Sequence, residues 1–233
     1  MSVVCGFDGC RGGWVVVYHD LDSHDMRREV VPNLQAIASS LPRPSAIAID
    51  VPIGLPDSGA RECDLEARRR LKHPRSSSVF PVLIRPLLDC ASWEEANERR
   101  KVLEGKGVSR QAWGLARKIR EVDEALRGDD QLRRVVHEVH PELCFTFMNG
   151  DRPLSHPKRT SEGRRLRTAA LRGFFGDAVD EALASKPKGC GVEDVVDAFA
   201  TVWTAARIVR GEAFTVPDHP PRDRYGLRME MVV

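Results

Sequence analysis

Four aspartates placed at structural punctuation points constrain this chain most. Asp8 follows the short apolar run Ser2-Val3-Val4-Cys5-Gly6-Phe7 and precedes Gly9, Gly12 and Gly13. An uninterrupted apolar run suits a strand covered on both faces. Trp14-Val15-Val16-Val17-Tyr18 reads as the returning strand, so Asp8 is expected at a hairpin. A second apolar strand, Ala46-Ile47-Ala48-Ile49, ends in Asp50, with the stiff loop Val51-Pro52-Ile53-Gly54-Leu55-Pro56 behind it. A carboxylate at the end of an interior strand costs several kcal/mol unless it is hydrated, hydrogen-bonded or bound to a cation. One such aspartate fits an ordinary turn. Two, on strands that end at the same sheet rim, point to a site.

The remaining two aspartates lie on one helix. After Gly189 and Gly191, Val192, Val195, Val196, Phe199, Trp203 and Ala206 form an apolar face at 3.6-residue spacing. Ala198, Ala205 and Ile208 make the helix apolar nearly all round, and Asp197 is the one charge between Val195 and Ala206. Asp194, three residues earlier, can point the same way. A helix N-terminus favours negative charge, which gives Asp194 a structural explanation but accounts less well for Asp197.

The rest of the chain fills in around these points. Residues 26–31 read as a third strand, and Asn33 caps a helix over residues 34–41 that stops at Pro42-Arg43-Pro44. From about residue 59 to 134 the pattern turns helical, with 18 Lys/Arg against 13 Asp/Glu over residues 61–134. Residues 61–71 form a helix interrupted at His73-Pro74. Residues 93–104 form another, and Ser109 caps a third that carries Trp113, Ile119, Val122 and Leu126. This stretch is expected to be a helical insertion within a single domain over residues 1–233. Residues 135–140 return to strand and stop at Pro141, with Glu138 and His140 on one face. Residues 152–172 are strongly basic, with seven Lys/Arg against Glu162 alone. After Arg210 no strand is evident, and Pro217, Pro220 and Pro221 suggest a loosely structured tail.

Composition excludes some classes. No apolar run approaches the roughly 18 residues that cross a bilayer, and the N-terminus enters a strand without a leader pattern. Six cysteines, with no Cys-x-x-Cys pair, read as free thiols in a reducing cytoplasm. There is no Gly-x-Ser-x-Gly, which disfavours a serine-nucleophile scheme.

Asp8, Asp50, Asp194 and Asp197, with Glu138 as a fifth, are therefore the candidate catalytic carboxylates. A cluster of like charges must be partly protonated or hold cations. Oxygen donors favour Mg²⁺ or Mn²⁺ over zinc, with Asp8, Asp50, Asp194 and Asp197 as candidate ligands. Two such ions about 4 Å apart can activate water and stabilise a leaving oxygen in phosphodiester cleavage. Arg11, Lys158 and Arg159 are the candidate phosphate contacts, with nucleic acid as the expected partner and no membrane. Oligomeric state, a homodimer included, is left open.

The order strand Asp, hairpin, helix, strand Asp, insertion, strand Glu, helix with paired Asp resembles the ribonuclease H-like superfamily. Its Asp194/Asp197 spacing resembles the closing helix of the Holliday-junction resolvases. More closely, the chain is similar to the DUF429 family through Gly6-Phe7-Asp8-Gly9-Cys10-Arg11-Gly12-Gly13-Trp14, Ile49-Asp50-Val51-Pro52-Ile53-Gly54, Glu138-Val139-His140-Pro141-Glu142 and Asp194-Val195-Val196-Asp197-Ala198. Ser76-Ser77-Ser78-Val79-Phe80 and Gln111-Ala112-Trp113 also resemble segments of that family. The resemblance implies an α/β, ribonuclease H-like mixed five-stranded sheet flanked by helices, and a metal-dependent nuclease. It implies Asp8, Asp50 and Asp197 as metal ligands, with Asp194 and Glu138 as participants. The helix over residues 34–41 lacks the glutamate of well-studied ribonucleases H. Two other readings stand beside it. One is an actin/sugar-kinase-like nucleotide-phosphate-binding protein, whose phosphate hairpin Asp8-Gly9-Cys10-Arg11-Gly12-Gly13 resembles. The other is a non-catalytic nucleic-acid-binding module.

Overall fold

The computed structural model describes residues 2–38 and 43–233. The chain begins with β1 (Val3–Cys10), β2 (Gly13–Asp20), β3 (Met26–Val31), α1 (Gln35–Ala38) and β4 (Ala46–Ile49). It then passes through α2 (Glu62–Arg75), α3 (Trp93–Glu104), α4 (Arg110–Gly114), α5 (Ala116–Gly128) and α6 (Asp130–Val135) to β5 (Val136–Glu138). It closes with α7 (Pro141–Met148), α8 (Ser161–Phe175), α9 (Ala178–Ala184), α10 (Val192–Arg210), β6 (Thr215–Val216) and β7 (Met231–Val232). The first five strands form one mixed sheet in the order β3-β2-β1-β4-β5. β1 runs antiparallel to β2 and parallel to β4, which is in turn parallel to β5.

Strand alternation divides the sheet between two cores. Val4 of β1 and Ala46 and Ala48 of β4 face a core built with α2, α7 and α10. Cys5 and Phe7, with Ile47 and Ile49, face a second core that includes Trp14, Ile84, Ile119 and Val122. Both faces of β1 are therefore covered, which is why its sequence lacks the apolar–polar alternation of a half-exposed strand.

Helix α10 lies on the first face at close range because β1 carries Gly6 there. A Cβ at Gly6 would fall 2.2 Å from Val202 N and 2.4 Å from Ala198 O. The opposite side of α10 meets α7, α8 and α9. A helix enclosed from both sides needs no polar face, and residues Val195 to Ala206 are all buried.

Some expectations change. β1 continues through Asp8 to Cys10, and the turn lies at Arg11 and Gly12, so Asp8 stands within a strand rather than at its hairpin. The physical reason is that β2 pairs along the whole of β1, from Val3↔Asp20 to Cys10↔Gly13. The β4 ladder does stop at Phe7↔Ile49, and Asp50 N donates to Phe7 O at 3.1 Å. The expected helix over residues 34–41 is seen as α1, with Asn33 Oδ1 accepting from Ala36 N; residues 39–42 lie outside the described residues. The helix begun at Ser109 is two helices, α4 and α5, each too short to span the expected run alone. Helical geometry in α2 does break at Lys72 and His73, beside Pro74.

The tail is the larger correction. Residues after Arg210 add the β6–β7 pair and bury Val216, Leu227, Met231 and Val233. Asp223 is buried against Arg85 and accepts from Leu55 N at 3.1 Å. Polar anchoring of this kind leaves no hydrophobic periodicity to read, and the prolines masked the short strands. Among the described residues no helix is long and apolar enough to cross a membrane. The six cysteines are all free.

Candidate functional site

Because β1 outruns β4, the end of the parallel ladder places Asp8 and Asp50 at one level. Alternation then sends both to the α10 side: Asp8 follows Val4 and Gly6, and Asp50 follows Ala46 and Ala48. Their carboxyls are near enough that the charge of Asp50 acts on Asp8. From the facing helix, Asp197 is 1% exposed and immediately precedes the Ala198–Val202 segment that rests on Gly6. Three acids that are far apart in sequence thus meet beneath one helix.

The electrostatics are those of a crowded, desolvated acid cluster. Burial, and then the charges of Asp197 and Asp50, hold Asp8 well above the usual carboxylate range. Burial also raises Asp50, against the pull of His140 and Lys158. Asp197 is pushed up to about 6 by burial, although Lys158 opposes the shift. Lys158 comes from the loop between α7 and α8, and its Nζ donates to Asp197 Oδ2 at 2.5 Å. Partial burial disfavours its charge, but Asp197, Asp50 and Asp8 together raise its pKa. Its side chain remains 43% exposed, so this pair sits at the edge of solvent. The second oxygen, Asp197 Oδ1, is buried with no hydrogen-bond partner among the described residues.

Asp194 is also at this end of α10. Its Oδ2 accepts from Gly191 N at 2.8 Å, closing the helix N-terminus. Its charge still reaches Asp8. The loop before it is held to the β1–β2 hairpin by Gly12 N donating to Gly189 O at 3.0 Å. Asp194 therefore carries the helix-terminal duty expected on electrostatic grounds, and sits beside the three-acid cluster.

Glu138 does not join them. Its register partner is Ile49, so its side chain starts on the opposite face of the sheet from Asp8 and Asp50. There its Oε2 accepts from Ile53 N and from Arg61 Nη1, both at 2.6 Å, and its Oε1 accepts from Arg61 Nη2 at 2.7 Å. Arg61 also binds Asp64. Burial pushes Glu138 up to about 7 despite the arginine. The strand's polar alternation, which suggests a wet edge, actually marks this buried ion pair. Glu142 is likewise taken by Arg167, whose Nη2 donates to both its oxygens, at 2.7 and 2.8 Å.

Of the three candidate phosphate contacts, Lys158 and Arg159 line a groove of about 620 Å³ that opens beside Asp50. Arg11 is exposed on the β1–β2 turn, outside the lining of that groove. His140, which the sequence offers for proton transfer but more readily for packing, is placed here. It lines the groove, with Nδ1 buried and unpartnered among the described residues and Nε2 3.4 Å from Ser78 O.

Among the described residues no three His, Cys, Asp or Glu side chains form a ready-made ligand set for a metal ion. The donor chemistry of Asp8, Asp50 and Asp197 nonetheless fits a hard divalent cation. These are oxygen donors only, they are desolvated, and one oxygen is buried without a partner among the described residues.

Comparison with known proteins gives one match. Residues 6–222 match the family described as protein of unknown function DUF429, and the chain belongs to that family. No curated protein and no solved structure matches the chain.

Proposed function

We propose that this DUF429 protein is a divalent-cation-dependent hydrolase of phosphodiesters in nucleic acid, a nuclease of ribonuclease H-like fold. The observation that carries the reading is the meeting of Asp8, Asp50 and Asp197 in one buried cluster, with Asp197 Oδ1 unpartnered among the described residues. The sheet order β3-β2-β1-β4-β5, with a long helix bringing an acid against the central strand, supports the fold assignment.

Asp8, Asp50 and Asp197 would hold Mg²⁺ or Mn²⁺, with Asp194 able to assist at its margin. When bound, such a cation lowers the pKa of water and neutralises charge on the phosphoryl oxygens. The chain's own contribution is positional. Gly6 lets α10 approach β1 closely enough to set Asp197 against Asp8. Lys158, half-exposed, can leave Asp197 and turn its ammonium toward a phosphate. Arg159 adds positive charge on the same wall. In the reaction a water oxygen bonds to phosphorus as a P–O ester bond breaks. The carboxylate cluster takes the water's proton, and the leaving oxygen is protonated from solvent.

The test is incubation of purified protein with single-stranded and structured DNA and RNA in Mg²⁺ or Mn²⁺. Cleavage that disappears in Asp8→Asn is expected. Absence of cleavage on every substrate, or an Asp8→Asn variant as active as the parent, would overturn the reading.

A further inference from the structure

The groove beside Asp50 is larger and more apolar than cleaving a phosphodiester requires. Two segments of its wall are the ones whose family resemblance found no role in the carboxylate cluster. Val79 and Phe80 follow the Ser76-Ser77-Ser78 turn, and Gln111 and Ala112 begin α4. With Leu83 and Leu115 they make a largely apolar slot, in which Phe80 is half-buried and Gln111 exposed.

The other end of the same groove is basic and polar. Lys158 and Arg159 stand there, and two further polar atoms on the wall, the donor Arg75 Nε and the ring nitrogen His140 Nδ1, are buried without partners among the described residues. The acids that share the lining are mostly neutralised: Asp64 and Glu138 by Arg61, and Glu142 by Arg167. Asp50 belongs to the carboxylate cluster. A volume of about 620 Å³ lies within the range of small-molecule sites, roughly 300–1,000 Å³. It accommodates a base, a sugar and a phosphate, but not a stacked duplex segment.

Resting on the nuclease reading, we propose that this groove holds one unstacked nucleotide unit. Its base lies against Phe80 and Leu115, with the Gln111 amide at the base edge. Its phosphate reaches Lys158 and the carboxylate cluster. An aromatic face and an apolar slot accept a base only after it leaves its stack, and a side-chain amide can read its hydrogen-bonding edge. The substrate is accordingly a single strand or a chain end, and the interior of a paired duplex is excluded.

The test compares the parent with Phe80→Ala and Gln111→Trp, with circular dichroism and melting confirming that each folds. Nucleoside monophosphates and inorganic phosphate are titrated calorimetrically in Mg²⁺. Nucleotide affinity should fall about tenfold in Phe80→Ala, the scale of one base–aromatic stack, with phosphate affinity unchanged within twofold. Gln111→Trp, which obstructs the slot, should weaken nucleotide binding in the same way. Single-stranded oligonucleotide cleavage should lose a similar factor in kcat/KM. Cleavage confined to oligonucleotide ends or spread along single strands identifies the source of the unit, and either agrees with the groove. Equal cleavage of single strands and duplex interiors, unaffected by both variants, would overturn the groove while leaving the carboxylate chemistry standing. An active Asp8→Asn variant would instead remove the chemistry, and nucleotide binding would still be read separately by calorimetry.

Discussion

Two groups of buried acids sit at the same end of the sheet, on opposite faces, and they are balanced differently. On one face Glu138 is gripped by both terminal nitrogens of Arg61 and by Ile53 N. On the other, Asp8, Asp50 and Asp197 share the ammonium of a single half-exposed lysine, and an Asp197 oxygen has no partner among the described residues. Bidentate arginine pairing satisfies a carboxylate's lone pairs and fixes its geometry. A lysine at the edge of solvent does neither completely. The first arrangement holds the β4–β5 end of the fold together, and the second retains coordination capacity for something else.

Substitution should separate the two groups most sharply in activity. On the proposed reading, Asp197→Asn is expected to lower cation-dependent phosphodiester cleavage at least about a hundredfold, because it would remove one of the three proposed cation ligands. Its melting temperature should hold or rise, since a desolvated charge is gone and Lys158 can return to water. Comparable activity in the variant would dissolve the distinction.

Arg61→Ala should do the reverse. It leaves Glu138 and Asp64 buried without their counter-charge, and the loss is expected to be about 3–5 kcal/mol in chemical denaturation. A loss well under 1 kcal/mol would show that this pair is not structural.

Gly6→Ala probes the geometry that joins β1 to α10. The added methyl meets backbone atoms, which cannot swing aside, so a cost of about 1–3 kcal/mol is expected from overpacking. Displacement of α10 should also reduce activity, read as a fall in kcat with little change in folding cooperativity.

The smallest effect is a pH slope. In the folded protein Glu138 keeps its proton up to about 7, against an ordinary value of 4.5. Between those values the folded state binds more protons than the unfolded chain. The stabilisation from this group is therefore complete below 4.5 and is lost as pH rises through 7. Melting curves of the parent between pH 4.5 and 8 should decline more steeply than those of Glu138→Gln. Parallel curves would place the ionisation elsewhere.

Much of this contrast was legible in the sequence, for physical reasons that differ by residue. Asp8 and Asp50 stood out because a charge terminating an apolar run is costly, while their sharing one face rests on the β1–β4 register. Asp197 stood out because a helix apolar all round should not carry a lone charge. Glu138 misled because its facing depends on the β4–β5 register, and its partner Arg61 is 77 residues away in the chain. Lys158 was visible only as one of several basic residues, since its tie to Asp197 exists only once α10 packs on β1. The Arg85–Asp223 anchoring of the tail has no local pattern at all.

Anomalous diffraction from crystals soaked in Mn²⁺ tests the central claim most directly. The expected result is a manganese peak bounded by Asp8, Asp50 and Asp197, with Lys158 displaced from Asp197 and the Arg61–Glu138 pair unchanged. Intact Lys158–Asp197 pairing with no peak at millimolar Mn²⁺, or a peak only at Glu138, would contradict it.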